Sequence, residues 1–329
     1  MSDYKEIVGT RVKAVSANPD NPTVGQVWYN STDEALKYRK ANAAGAWSSG
    51  GNLNSGRDAS GIFGTQTATI MFGGLLSDSH QVLTENYNGS SWTEVGDLNQ
   101  NKAASAGAGT STAGLSAGGD IPSGGPATAN VESWNGSSWT EITDINTARD
   151  FASGAGIQTA ALVFGGENPG GVTGFNESWN GSSWTEVGDL NSGRTTCGCA
   201  GTQTAALNFG GDNVGNGTVT QLNESWNGSS WTELADLNTA GRLNAGGAGE
   251  STEAMYMGRY NPSPGNFDLC EQWNGSSWTE VNDLSTGRFF AAGSGTQSAG
   301  LLAGGRTGPG TTNLNNTEEF SGVFQITPE

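Results

Sequence analysis

Histidine, cysteine and positive charge are what this 329-residue sequence has least of. Its one histidine, His80, rules out any metal site or proton relay that needs two imidazoles. Three cysteines, Cys197, Cys199 and Cys270, cannot build a disulfide framework. Against 14 Lys and Arg stand 32 Asp and Glu, a formal net charge of -18. Residues 1–50 carry six basic and five acidic side chains and the rest carries eight and twenty-seven, so the negative charge lies almost wholly beyond residue 50. Such a body repels nucleic acid and anionic membranes, and no basic stripe offsets it, so neither partner is expected. No apolar run approaches the roughly 18 residues of a membrane span. Met1 to Thr10 hold no apolar core of a secretory signal, so a soluble chain made in a cytoplasm is expected. Apolar residues make up only 34%, below the about 45–50% of globular domains, which alone leans toward low complexity. Eleven Trp and eleven Phe lean the other way, because large aromatics carry much of the area a core can bury.

Those aromatics are evenly placed. The string Asn-Gly-Ser-Ser-Trp-Thr-Glu occurs five times, with its tryptophan at Trp92, Trp139, Trp184, Trp231 and Trp278, and Trp47 begins a looser earlier copy. The steps between them are 45, 47, 45, 47 and 47 residues, and a period near 46 fits one four-stranded propeller blade. Within a unit, Asp-Leu-Asn-x-x-Arg reads as a turn and Phe151 to Gly156 as a small-residue strand a. Ala160 to Phe164, ended by Gly165-Gly166, reads as strand b, Asn176 to Trp179 as strand c, and Trp184 to Val187 as strand d. Runs this short, bounded by Gly and Asn, are strands and not helices. Asn-Gly between c and d supplies the positive φ of a hairpin turn. The residues flanking it lie opposite each other, so Trp179 meets Trp184, and the pair recurs as Tyr87/Trp92, Trp134/Trp139, Trp226/Trp231 and Trp273/Trp278. Each pair contributes roughly 0.2–1 kcal/mol. These aromatics are expected to be structural, pressed between neighbouring blades.

A glutamate stands just ahead of each c-strand aromatic, at Glu85, Glu132, Glu177, Glu224, Glu271 and Glu318. Arg follows strand d at Arg57, Arg149, Arg194, Arg242 and Arg288, with Lys102 nearby in the second unit. Glutamate and arginine are expected to pair within or between blades, a structural role, since catalysis needs one copy and not six. The double glycine after strand b, the aromatic of strand c and the tryptophan of strand d resemble the kelch repeat over about residues 45–325. The fifth unit departs from it, with Met257-Gly258-Arg259 in place of the second glycine. The resemblance implies an all-β propeller closed by strands from both chain ends. Six a–b pairs predict six blades over residues 46–329, with the Trp47 strand completing the last. The alternative is seven, with residues 26–29, 35–39 and 46–48 as a degenerate blade.

Residues 1–45 do not share the repeat. Val24 to Ser31, a short polar turn and Ala35 to Lys40 read as a small hairpin. The pattern Pro22-Thr-Val-Gly-Gln-Val-Trp-Tyr-Asn30 with Leu36-Lys-Tyr-Arg39 resembles a module of bacteriophage tail and fibre proteins. That resemblance implies a virion protein, attached to other virion proteins through this N-terminal module; a propeller-capping hairpin without that role is the other reading.

Chemistry leaves few traces. Galactose-oxidase-like propellers hold copper with two His and two Tyr, which one histidine cannot supply. Ser178 to Trp184 is superficially similar to the Asp-box hairpin of sialidases, but it lacks the Asp and is one residue short. No spacing singles out a carboxylate pair of the kind glycosidases use, and Cys197-Gly-Cys199 reads as small-residue core filling and not a metal site. No catalytic residue, metal or cofactor is expected. What varies between units is the b–c loop, and equivalent loops of a propeller crowd onto one face, a constant frame with divergent loops that suits recognition. The ligand-binding candidates there are Asp78, His80, Asp120, Glu167, Asn168, Asp212, Asn213, Tyr260, Asn261 and Arg306. The leading expectation is a non-enzymatic phage component that binds a host surface polysaccharide or another virion protein through this face. A purely structural capsid or tail decoration, a glycan-cleaving enzyme and a cellular kelch adaptor are the alternatives; no helical partner domain accompanies the repeats to favour the last.

Overall fold

The computed structural model describes residues 13–16, 27–32, 35–38, 45–122, 127–213, 220–239, 246–258, 268–307 and 312–322. Among them every regular element is a strand. Six antiparallel four-stranded sheets carry strands a to d in sequence order. Blade 1 is Gly61–Thr65, Ala68–Phe72, Thr84–Tyr87 and Trp92–Glu94, and blade 2 is Ala106–Thr110, Ala113–Ala117, Val131–Trp134 and Trp139–Ile142. Blade 3 is Ser153–Ile157, Ala160–Phe164, Asn176–Trp179 and Trp184–Val187, and blade 4 is Gly198–Thr202, Ala205–Phe209, Asn223–Trp226 and Trp231–Glu233. Blade 5 is Gly246–Glu250, Glu253–Met257, Cys270–Trp273 and Trp278–Val281. Blade 6 takes Ala292–Gly295, Gly300–Ala303 and Thr317–Ser321 from the C-terminal side and Ala46–Ser49 from the N-terminal side. The fold is a six-bladed β-propeller.

Closure therefore follows the six-blade reading. Ala46–Ser49 runs antiparallel to Thr317–Ser321, with Trp47 opposite Phe320 and Ser48 opposite Glu319. A seventh blade is excluded because Val27–Asn30 and Ala35–Tyr38 form a separate sheet. There they pair antiparallel as the expected hairpin, and a third strand, Lys13–Val15, adds in parallel to Val27–Asn30. The chain divides into two compact units, one containing this sheet and the other spanning Ala46–Ser321.

The core lies between the blades, not inside them. Six apolar clusters occupy the six seams, each drawing side chains from two neighbouring blades. The c–d aromatics anchor them, with ring centroids 4.9 Å apart for Tyr87/Trp92, 5.3 Å for Trp134/Trp139, 5.1 Å for Trp179/Trp184, 5.6 Å for Trp226/Trp231 and 5.5 Å for Trp273/Trp278. Trp47/Phe320 at 5.2 Å is the equivalent in the closing blade. Across seams, Phe72 meets Trp139, Phe164 meets Trp231 and Phe209 meets Trp278 at 5.0, 4.9 and 4.9 Å. This arrangement lets a chain of low overall hydrophobicity fold, because each seam is packed around large aromatic rings.

Small residues do the opposite job at the centre. The six a strands ring an axial shaft of about 180 Å³, lined almost wholly by Gly, Ala and Ser. A Cβ on Gly107 would lie 2.3 Å from the carbonyl oxygen of Ile62 in blade 1, and one on Gly154 would lie 2.6 Å from that of Gly107. Adjacent a strands thus approach backbone to backbone, which only glycine permits. Cys197 and Cys199 also line the shaft, and the Cys199 thiol donates to the Gly154 carbonyl at 3.3 Å. Burial pushes the Cys197 thiol up to about 11 and Cys270 up to about 12, so neither is a thiolate near neutral pH.

Each connection between blades is clamped by the repeated acid. Glu177 Oε1 accepts from Arg149 at 2.8 Å, while Oε2 accepts from the backbone N–H and Nδ2 of Asn146 at 2.6 and 2.7 Å. Arg57–Glu85, Arg194–Glu224 and Arg288–Glu318 repeat the pair at 3.0, 2.8 and 2.6 Å, all fully buried. Lys102 stands 3.6 Å from Glu132 and donates to Asn130 Oδ1 at 3.0 Å, and desolvation by burial lowers its pKa to about 8 against the pull of Glu132. Glu271 accepts from Asn238 and Thr239; its expected partner Arg242 lies outside the described residues.

Candidate functional site

The b–c loops gather at one mouth of the shaft, and the sequence sets that mouth by a repeated turn. Two residues beyond each described clamp cation the backbone enters the left-handed region, at Ala59 (φ 47°), Ala104 (53°), Phe151 (48°), Thr196 (57°) and Phe290 (53°). Five non-glycine residues with this φ at equivalent positions mark a conformation fixed by its surroundings. The fixing contacts are backbone bonds running around the axis. Ala59 N–H donates to Phe290 O at 2.9 Å, Ala104 to Ala59 O at 2.6 Å, Phe151 to Ala104 O at 2.9 Å and Thr196 to Phe151 O at 3.2 Å. Phe151 and Phe290 belong to opposite blades, yet their rings meet at 5.8 Å, with Phe289 a further 5.3 Å from Phe290. An aromatic floor therefore spans the mouth of the shaft.

One residue earlier in each unit, the chain forms a two-residue bridge to the first residue of the b–c loop: Asp58 with Leu75, Ala103 with Asp120, Asp150 with Glu167, Thr195 with Asp212 and Phe289 with Arg306. These bridges place the sequence candidates. Arg306 of blade 6 donates to Asp78 of blade 1 at 2.6 Å and contacts buried Asp58. Ser77 N–H donates to Asn313 Oδ1 at 2.8 Å and strengthens the same junction. His80 Nε2 lies 2.9 Å from Asp120 Oδ2, which ties the blade 1 loop to the blade 2 loop. Glu167 and Asn168 open a small hairpin with Gly171–Val172, in which Asn168 Oδ1 accepts from Gly170 N–H at 2.7 Å. Asp212 is buried at its bridge, and Asn213 is half-buried with no hydrogen bond to Oδ1. Tyr260 and Asn261 lie outside the described residues. Among the candidates, then, the pairs Arg306–Asp78 and His80–Asp120 tie the blade 1 loop to the loops of blades 6 and 2, whereas Asn168 serves its own loop.

No protein-family model matches the sequence, and no curated protein matches it. Among solved structures, one described as the structure of YjhT superposes with a TM-score of 0.67, covering 83% of this chain and 97% of that one, at 14% identity. At that identity the likeness establishes the propeller fold and carries no chemistry with it.

Three groups at this mouth escape sequence reading: the floor residues Phe151 and Phe290, and Asp150. Asp150 is mostly buried, and desolvation, with Asp120 and Glu167 nearby, raises its carboxyl to about 6. The sign of its effect on stability follows. The folded protein holds this proton more tightly than the unfolded chain, so its penalty is absent below about pH 4, grows between about 4 and 6, and is complete above 6. Asp150→Asn is therefore expected to raise the melting temperature at pH 7.5 and to leave it unchanged at pH 4; an offset equal at both values would contradict this origin. Among the described residues no group of three or more His, Cys, Asp or Glu is placed to share a metal ion.

Proposed function

We propose that this chain is a kelch-like propeller displayed on a bacteriophage particle. It is attached to other virion proteins through residues 1–45 and binds a host surface glycan or a neighbouring virion protein through the b–c loop face. The observation that carries the reading is the contrast between frame and loops. Clamps, seams and turns repeat from blade to blade, whereas the loops at the shaft mouth differ in every unit and are cross-tied by Arg306–Asp78 and His80–Asp120. A rigid, polar-rimmed face with an aromatic floor suits saccharide recognition, since an aromatic ring takes the apolar side of a sugar and carboxylates take its hydroxyls. The resemblance of residues 22–39 to a tail and fibre module supports the attachment.

Mass spectrometry of purified particles is expected to find the chain in virions. On a glycan array the intact protein is expected to bind at least one polysaccharide without turnover, and Arg306→Ala with His80→Ala to weaken that binding by about tenfold or more, roughly 1.4 kcal/mol. Silence across the array, with the chain present in particles, would favour a structural decoration. One observation favours a glycan-cleaving enzyme as the second reading. A carboxyl held to about 6 beside Asp120 and Glu167 resembles the proton donor of a carboxylate pair. Turnover of an array ligand that Asp150→Asn abolishes would establish that reading in place of the first.

A further inference from the structure

The seam between blades 2 and 3 carries two residues that no other seam shares, Thr143 and Ile157. Just after strand d, three units place Gly51, Gly96 and Gly188 against the c–d turn of the following blade, and two others carry Ala235 and Asn282. A Cβ at the three glycines would come within 2.2, 2.3 and 2.7 Å of the carbonyl oxygens of Ser90, Ser137 and Ser229. Those connections lie flush against the turn. Blade 2 has Thr143 there. Its side chain stands between connection and turn, with the hydroxyl donating to Ser182 O at 3.3 Å and its own carbonyl accepting from Trp184 Nε1 at 3.0 Å. Across the same seam, at the end of strand a, the units carry Thr65, Thr110, Thr202, Glu250 and Thr296, whereas blade 3 carries Ile157, half exposed at 51%. An apolar side chain thus stands in solvent next to Gln158 in the chain.

Thr143, and Gln158 next to Ile157, line a cavity of about 460 Å³ at this seam, within the range of small-molecule sites. Ser133, Thr143, Gln158, Thr159 and Ser182 give it hydroxyl and amide groups, and Ile142 and Trp179 give it an apolar wall. Gln158 is fixed in place, with Nε2 donating to Ser133 Oγ at 2.8 Å and Trp134 O at 2.7 Å. No ionisable side chain lines the cavity, so a charged ligand would find no counter-charge. A neutral lining that joins hydroxyl and amide groups to the Ile142 and Trp179 surface suits a neutral pyranose ring, with hydroxyls at its edge and an apolar face. We propose that the blade 2–blade 3 seam is a binding pocket for a neutral sugar ring, made by residues distinct from those of the loop face and independent of whether that face binds.

NMR titration of the full chain with D-glucose, D-galactose and N-acetyl-D-glucosamine, read at the methyl groups of Ile142 and Ile157, tests this. At least one sugar is expected to shift both residues at millimolar concentration. Thr143→Gly and Ile157→Thr each introduce a residue that at least three other blades carry at the same position, so both variants should keep the wild-type melting temperature. Thr143→Gly is expected to weaken the shift by about tenfold or more. His80→Ala with Arg306→Ala should leave it intact, which separates this pocket from the loop face. Absence of a shift with all three sugars, or equal shifts in the folded Thr143→Gly variant, would overturn the proposal.

Discussion

Glu177→Ala is expected to destabilise the propeller by roughly 3–5 kcal/mol, more than any loop-face substitution. The residue is 1% exposed and its partner Arg149 is fully buried. Removing the carboxylate strands a guanidinium that cannot reach water, and it also frees the Asn146 amide and side-chain groups that Oε2 holds. Loss of a buried partner costs far more than the net worth of the pair, because desolvation of the survivor is no longer offset. Glu177→Gln should fall between Ala and wild type, since it keeps an acceptor but loses the charge. Denaturant melts of the three proteins check this; a cost below about 1 kcal/mol for Glu177→Ala, the range of surface ion pairs, would show that the clamp is not buried in solution.

Removal of residues 1–49 should have a comparably large effect by another route. The closing strand Ala46–Ser49 completes the sheet of blade 6 and brings Trp47 onto Phe320, with Trp47 Nε1 donating to Asn282 O at 2.9 Å. Without it Thr317–Ser321 becomes an open edge and the seam between blades 5 and 6 loses its outer ring. An unpaired edge is a template for association. The truncated chain is therefore expected to melt about 10 °C or more below the intact one, in a broader transition, and to form dimers or larger species on size exclusion. A truncated monomer with an unchanged melting temperature would mean that the ring does not depend on this strand.

How much of this was legible beforehand differs by level. The blades, their number and their strand order follow from the tryptophan spacing and from counting a–b pairs, because one hairpin signal recurs in register, whereas closure by both chain ends was what the resemblance to a repeat family implied. The Glu–Arg clamp was visible for the same reason: a charge that repeats with the core aromatics shares their environment. The shaft mouth was not. Phe151 reads as the first residue of strand a, but the strand starts at Ser153, and Phe151 sits in a left-handed turn with its ring on Phe290 from the opposite blade. A contact across the axis leaves no periodic trace. Pattern fails likewise for Lys13–Val15, too short and polar to announce a strand. It fails also for Asp150, whose raised pKa depends on neighbours supplied by two other loops. Thr143 and Ile157 differ from their counterparts in the other units, but only the packing shows that Thr143 lines a gap between blades.

The ring closed by the two chain ends underlies the whole account, and a pair of engineered cysteines tests it most directly. Ser48 and Glu319 are cross-strand partners in the closing blade, within reach of a disulfide between antiparallel neighbours. Oxidation of the Ser48→Cys/Glu319→Cys protein is expected to yield an intrachain disulfide in monomeric protein at high efficiency, locking residue 48 to residue 319. Two accessible thiols that both alkylate readily but never join would contradict the closure, and with it the six-bladed ring on which the loop face and the seam pocket are built.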